Sequence, residues 1–206
     1  MGIPDETIPT GSEDLACAEL RRSPIYNRIS ENEKRWYVEQ SLRIGTDTAE
    51  EQLAKGRGLC VLMRENGVEI VLDGSRSAGH GTALRSEIEF NKVRTRITVY
   101  EDSIKQIAES CAKDCGCGLR LTRKEVLDMH LAHEFFHYLE FSSGMTTSQR
   151  LPKVELTYLG VIKRRIELYE CCEVAAQAFS KRFCGLKVLP TYYDLLYLRN
   201  HLTLSA

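Results

Sequence analysis

The chain of 206 residues has no excess of either charge: its formal net charge is −1. A balance this close to neutral gives no global attraction to nucleic acid or to an anionic membrane surface, so direct binding to either is not expected. No stretch approaches the roughly 20 apolar residues that a bilayer-spanning helix needs. The opening from Met1 to Glu13 is acidic and polar, with neither the basic start nor the apolar core of a secretory signal, and the expectation is a cytoplasmic protein. No Pro-rich linker, low-complexity run or internal repeat divides the chain. With 43% hydrophobic residues it has enough apolar content for one well-buried domain. The expected organisation is a flexible segment over residues 1–26 followed by a single domain over 27–206. Without a signal, the eight cysteines read as reduced thiols rather than a disulfide framework.

What is present is the pentapeptide His133-Glu134-Phe135-Phe136-His137. HExxH on a helix places two imidazoles and a carboxylate where hydrolytic zinc chemistry needs them. Four residues of α-helix advance about 6 Å and return to within roughly 40° of the starting direction, so both histidines reach one ion. A carboxylate beside that ion accepts a proton from metal-activated water and passes it to a departing amine. The surroundings favour a helix. From Thr122 to Phe141 there is no Gly or Pro, Thr122 with Glu125 forms a capping box, and Leu127, Leu131, Phe135, Tyr138 and Leu139 recur at helical spacing. His130 lies one turn before Glu134 and is read as a core or supporting histidine; Asp128 is off the ligand face.

Two histidines leave a ligand to be found. The metzincin continuation HExxHxxGxxH fails, because Glu140 and Ser143 stand at the corresponding positions. Glu140, on the same unbroken helix, is poorly placed to complete a tetrahedral site. The third ligand is expected from another helix, and the segment from Val161 to Phe183, free of Gly and Pro and ending at Gly185, reads as that helix. It offers Glu167, Glu170 and Glu173. Glu173 heads the run Glu173-Val174-Ala175-Ala176-Gln177-Ala178-Phe179-Ser180, whose small residues permit two helices to approach closely. Glu170 is its main rival, against an alternative role on a solvated helix face with Lys163, Arg164 and Arg165.

On these residues the chain resembles the ImmA/IrrE family of zinc peptidases, in which the HExxH helix is followed by a helix of the form Glu-x-x-Ala-Asn-x-Phe-Ala. Ala176 and Phe179 fall on the family's Ala and Phe, and Gln177 and Ser180 replace its Asn and second Ala. The resemblance implies that Glu173 is the third ligand, that the cofactor is Zn²⁺ and that the activity is cleavage of a regulatory protein, typically a helix-turn-helix repressor. It also implies a zincin-like fold. The alternative reading is a non-catalytic, zinc-stabilised module that sequesters a regulator. A third places redox control in Cys111, Cys115 and Cys117, whose C-x3-C-x-C spacing is weakly metal-like. Cys171 and Cys172 adjoin Glu173, where oxidation or metal capture would interfere, although helix packing explains them as well; Cys60 reads as a small core hydrophobe.

The remaining pattern is α+β and mainly helical, with a small antiparallel or mixed sheet beside the metal helices. Ser30 with Glu33 caps a helix to about Arg43, and Thr48 with Glu51 caps a second one running toward Asn66-Gly67. That dipeptide is read as a helix stop before a strand from Val68 to Leu72, with a hairpin turn as the competing reading. A flexible loop from Gly74 to Gly81 precedes an antiparallel pair, Ala83 to Phe90 and Arg94 to Tyr100, one of which is a candidate platform for an extended substrate. Helices follow from Asp102 to Lys113 and from Thr191 to about His201. His80, His201, Tyr158 and Tyr169 are candidate oxyanion stabilisers, with no geometry to choose among them.

Overall fold

A computed structural model describes residues 8–74, 86–90, 94–113, 118–158 and 161–202. The architecture is α+β and mainly helical, with two small sheets. Helix α1 (Ser12–Leu20) is followed by a 3₁₀ turn (Tyr26–Arg28), α2 (Glu31–Leu53) and α3 (Leu59–Glu65). Strands β1 (Val68–Asp73), β2 (Ser86–Phe90) and β3 (Thr95–Tyr100) lead into α4 (Glu101–Lys113) and α5 (Arg123–Ser143). The chain then forms α6 (Thr147–Arg150), β4 (Val154–Tyr158), β5 (Ile162–Ile166), α7 (Glu170–Cys184) and α8 (Thr191–Leu202). Among the described residues, no helix is long and apolar enough to cross a membrane.

Helix α5 carries the HEFFH motif, and its start follows from local chemistry. The Thr122 side chain accepts from the Glu125 backbone N–H, and the Glu125 carboxylate accepts from the Thr122 N–H at 2.7 Å. One face of the helix is apolar: Val126, Met129, Leu131, Ala132, Phe135 and Phe136 are almost fully buried. It packs on α7, where Phe179 meets both Phe135 and Phe136, and Ser180 Oγ donates to the Met129 carbonyl at 2.7 Å. On the opposite side α7 lies against α2. Built onto Gly45 of α2, a Cβ would sit 2.0 Å from the Ala175 carbonyl oxygen, so the two backbones touch where glycine and alanine leave room.

The three-stranded sheet has the order β1-β3-β2 and is mixed. β1 is parallel to β3, with Ile70 opposite Ile97, and β2 is antiparallel to it, with Ile88 opposite Ile97. β2 is thus an edge strand, and it lies along α5.

Several expectations need correction. The segment up to Tyr26, read as flexible, contains α1, whose Leu15 and Leu20 are fully buried and which packs on α2 and α7. The capping box of Ser30 and Glu33 is present, but α2 runs through Arg43 to Leu53, so Thr48 and Glu51 lie inside a helix and cap nothing. The break comes at Gly56 and Gly58, and α3 then ends at Asn66-Gly67, which is a helix stop and not a hairpin turn. The largest correction falls on the long helix from Val161 to Phe183. Its first part is β5, paired antiparallel with β4 so that Val154 faces Ile166. Val154 and Leu156 of β4 are buried while Glu155 and Thr157 are exposed, a period-two pattern, whereas β5 is exposed along most of its length and owes its strand form to pairing with β4. Lys163, Arg164 and Arg165 are therefore on a strand, where Lys163 and Arg165 pair with Glu155, and not on a helix face with Glu170. Of the expected strand from Ala83, residues 83–85 lie outside the described residues, as does all but Gly74 of the loop from Gly74 to Gly81.

Candidate metal centre

The polar face of α5 carries His130, His133, Glu134, His137 and Glu140, each three or four residues from another, opposite its apolar face. Helix α7 crosses it and presents Glu173 from its first turn. His133 Nε2 lies 3.3 Å from Glu173 Oε2, and His137 Nε2 lies 3.5 Å from Glu173 Oε1. The two histidine Nε2 atoms are 3.2 Å apart. Ligands held about 2.0–2.1 Å from a tetrahedral ion are separated by roughly 3.3–3.4 Å, so the three donors already stand at the edges of such a site. They are the group among the described residues that can hold a metal ion. Glu167 pairs with Lys153 instead, at 2.7 Å, and Glu170 stays outside the group.

A carboxylate at Glu140 fixes one ligand. His137 Nδ1 donates to Glu140 Oε2 at 3.2 Å, which leaves Nε2 with its lone pair toward Glu173 and His133. Glu140 is buried and also accepts from the Thr147 backbone N–H. Burial opposes its ionisation, but the bonds from His137 and Thr147 outweigh it and hold the carboxyl below its ordinary value. His133 and Glu173 stand within ion-pair distance. Desolvation pushes the His133 pKa down, yet the hydrogen bond and charge of Glu173 raise it to about 9. Burial works upward on Glu173, and His133 brings it down to about 2.

Glu134 is buried beside the triad and is no part of it; its Oε1 accepts from Ser86 Oγ at 2.8 Å. The edge strand β2 thereby fixes a carboxylate that stands beside the three donors without being one of them. Across the mouth of the site lies α1. Arg22 donates to Glu19 at 2.8 Å, and both line the space around His133, His137 and Glu173. Burial raises the Glu19 carboxyl, with the Arg22 guanidinium opposing and the Glu173 charge adding to the rise.

The structure brings His133, Glu134, His137 and Glu173 together, with His130 in the same cavity. Asp128 is elsewhere, paired with Lys124. Tyr169 stands at the N-cap of α7, against the end of the cleft that holds His137 and Glu173. His80 and the side chains of Tyr158 and His201 lie outside the described residues, as do Cys115 and Cys117. Cys111 is buried in α4. Cys171 and Cys172 are packing thiols: burial pushes Cys171 up to about 12 and also raises Cys172, whose sulfur accepts from Ser148 N–H at 3.4 Å. Cys60 is exposed and not in the core, because α3 turns its neighbours Leu59, Leu62 and Met63 inward.

Ser86, Glu140, Glu19 and Arg22 were not assigned these roles from sequence. Glu140 alone left a signal there, as an acid three residues after a ligand histidine. Gln177 and Ser180 have local reasons of their own. Gln177 Oε1 accepts from the Thr191 N–H at 2.9 Å and anchors the start of α8, and Ser180 ties α7 to α5.

The fold and site define a mainly helical α+β protein with a two-histidine, one-glutamate group able to bind a metal ion. No protein-family model matches the chain, and no curated protein or solved structure was found similar to it.

Proposed function

We propose that the protein is a zinc-dependent endopeptidase in which His133, His137 and Glu173 hold the ion and Glu134 is the general base. The observation that carries this reading is the position of Glu134, buried next to three converging donors and oriented by Ser86 without being one of them. A structural site has no use for such a carboxylate and normally closes its fourth position with a protein ligand. His133, His137 and Glu173 would hold the ion, which would supply Lewis acidity to a scissile carbonyl and make a water molecule more acidic. Glu134 would take the proton of the attacking water and return it to the leaving amine nitrogen. Ser86 keeps the carboxylate aimed, and Glu140 keeps His137 in the tautomer that offers Nε2 inward. The edge of β2 gives an extended peptide a backbone to pair with beside these groups. The sequence resemblance to ImmA/IrrE peptidases supports a protein regulator, such as a helix-turn-helix repressor, as the substrate.

The test is elemental analysis joined to a peptide-cleavage assay. Wild-type protein is expected to bind close to one zinc and to hydrolyse peptide. Glu134→Gln should keep the zinc and lose cleavage by about 10²–10⁴-fold, the range general base catalysis contributes. Glu173→Ala should lose the zinc. Undiminished hydrolysis in Glu134→Gln would sink the assignment.

A further inference from the structure

The cleft at the triad has two unlike halves. One is a cavity of about 820 Å³ that takes in Ser86, Glu87, Glu134 and Asp194. The other, about 700 Å³, is walled by Ile88, Phe90, Phe141 and Tyr169. His137, Glu173, Glu19 and Arg22 border both, so one continuous trough runs past the ligand group. β2 and α5 run along it side by side in the same direction. Ser86 meets Glu134 at one end, and four residues later Phe90 stacks on Phe141 with ring centroids 4.1 Å apart.

That aromatic pair is open to solvent. Phe141 is 58% exposed, Phe90 36% and Tyr169 66%, an unusual set of large apolar side chains to leave around one cavity. Phe141 is one helical turn, about 6 Å, beyond His137. A peptide strand advances about 3.3 Å per residue, so a side chain seated there belongs to a residue one to three positions from a bond held at the triad. β2 is an edge strand, and its outer edge has no strand partner among the described residues. Side chains on an added strand alternate between faces, so every second one points toward α5 and its phenylalanine.

We infer that this half of the trough is a specificity subsite that takes a bulky apolar or aromatic side chain of an extended peptide paired with β2. The inference rests on the peptidase reading above for its placement relative to a cleaved bond. Rigid aromatic walls bury such a side chain at low cost in conformational entropy.

The test uses the full-length protein loaded with zinc and a random peptide library. Peptides cut by the wild type are sequenced alongside peptides retained by Glu134→Gln. Phe, Tyr, Leu and Met are expected to be enriched at one position within three of the cut, and in the retained pool. Because Phe141 is largely exposed, Phe141→Lys preserves the fold; it should lower kcat/KM on the preferred peptide at least tenfold and move the preference toward acidic residues. Cleavage with no preference at those positions, or a preference that survives Phe141→Lys, overturns the subsite and leaves the peptidase standing. Retention of apolar peptides that Phe141→Lys abolishes, with no cleavage by the wild type, supports the subsite and overturns the peptidase. Neither cleavage nor retention overturns both.

Discussion

His133 stands 3.3 Å from Glu173, within ion-pair distance. Its pKa of about 9 lies above the ordinary 6.5 and that of Glu173, about 2, lies below its ordinary 4.5, so their pairing stabilises the fold fully between about pH 4.5 and 6.5 and fades as pH rises through 9 or falls toward 2. A metal needs the unprotonated ring. Zinc binding at pH 7 is therefore expected to release about one proton from His133, and affinity should rise roughly tenfold per pH unit up to about 9 before levelling off. Calorimetry in buffers of different ionisation enthalpy reads the proton directly. Zero release at pH 7 would show that the ion pair does not form. Glu140 acts one bond further out, through the Nδ1 proton of His137. Glu140→Ala should weaken zinc binding by about 10–100-fold, the usual cost of losing a carboxylate behind a ligating histidine. Glu140→Gln keeps a single acceptor oxygen where the carboxylate uses one for His137 and the other for Thr147, so it should recover only part of the loss; equal affinity in all three proteins would remove Glu140 from the centre.

At the scale of elements, the site depends on three helices packed as a sandwich, with α7 in the middle. Gly45 lets α2 approach the Ala175 carbonyl, two residues past Glu173. Alanine in an open helix gains about 1 kcal/mol over glycine, but here its methyl group meets backbone, which cannot swing away. Gly45→Ala is expected to destabilise the fold by about 1–3 kcal/mol in urea titration, and to weaken zinc binding as α7 shifts. A more stable variant would mean that the helices separate more easily than their packing suggests. What the sequence discloses about these elements divides along a physical line. α5 was legible because its capping box, its apolar stripe and its HExxH face are all local. The sequence points to α7 and to Glu173 but places the start of the helix nine residues too early, at Val161 instead of Glu170, because the pairing of β5 with β4 is a contact between segments and β5, exposed over most of its length, carries no alternation of its own. α1 was missed for a related reason: Leu15 and Leu20 become core residues only when α2 and α7 are beside them. Ser86 and Arg22 reach the site across 48 and roughly 150 residues of chain, distances over which no spacing rule operates.

For the whole molecule, the question is whether metal makes the fold or only occupies it. Small zinc modules lack a core and unfold without their ion. Here the ligand helices are joined without it, by Phe179 against Phe135 and Phe136 and by the Ser180 bond to Met129, and the three donors converge within one small site. Removing zinc should therefore leave the helical signal in circular dichroism intact. An ion held by His133, His137 and Glu173 would bridge α5 and α7 and bind the folded chain alone, so it would add stability by mass action: about 4 kcal/mol at a free concentration a thousand times Kd. In a domain of this size 1 kcal/mol moves the midpoint by about 2–4 °C, which puts the expected fall in Tm on chelation at roughly 8–16 °C. The fall should shrink to nothing in Glu173→Ala, whose apoprotein also lacks the His133 ion pair. Loss of helical signal on chelation would instead make the metal part of the folding reaction. The core that α2, α5 and α7 share would then be too weak to hold the ligands in place, and the convergence of the donors would belong to the holoprotein alone.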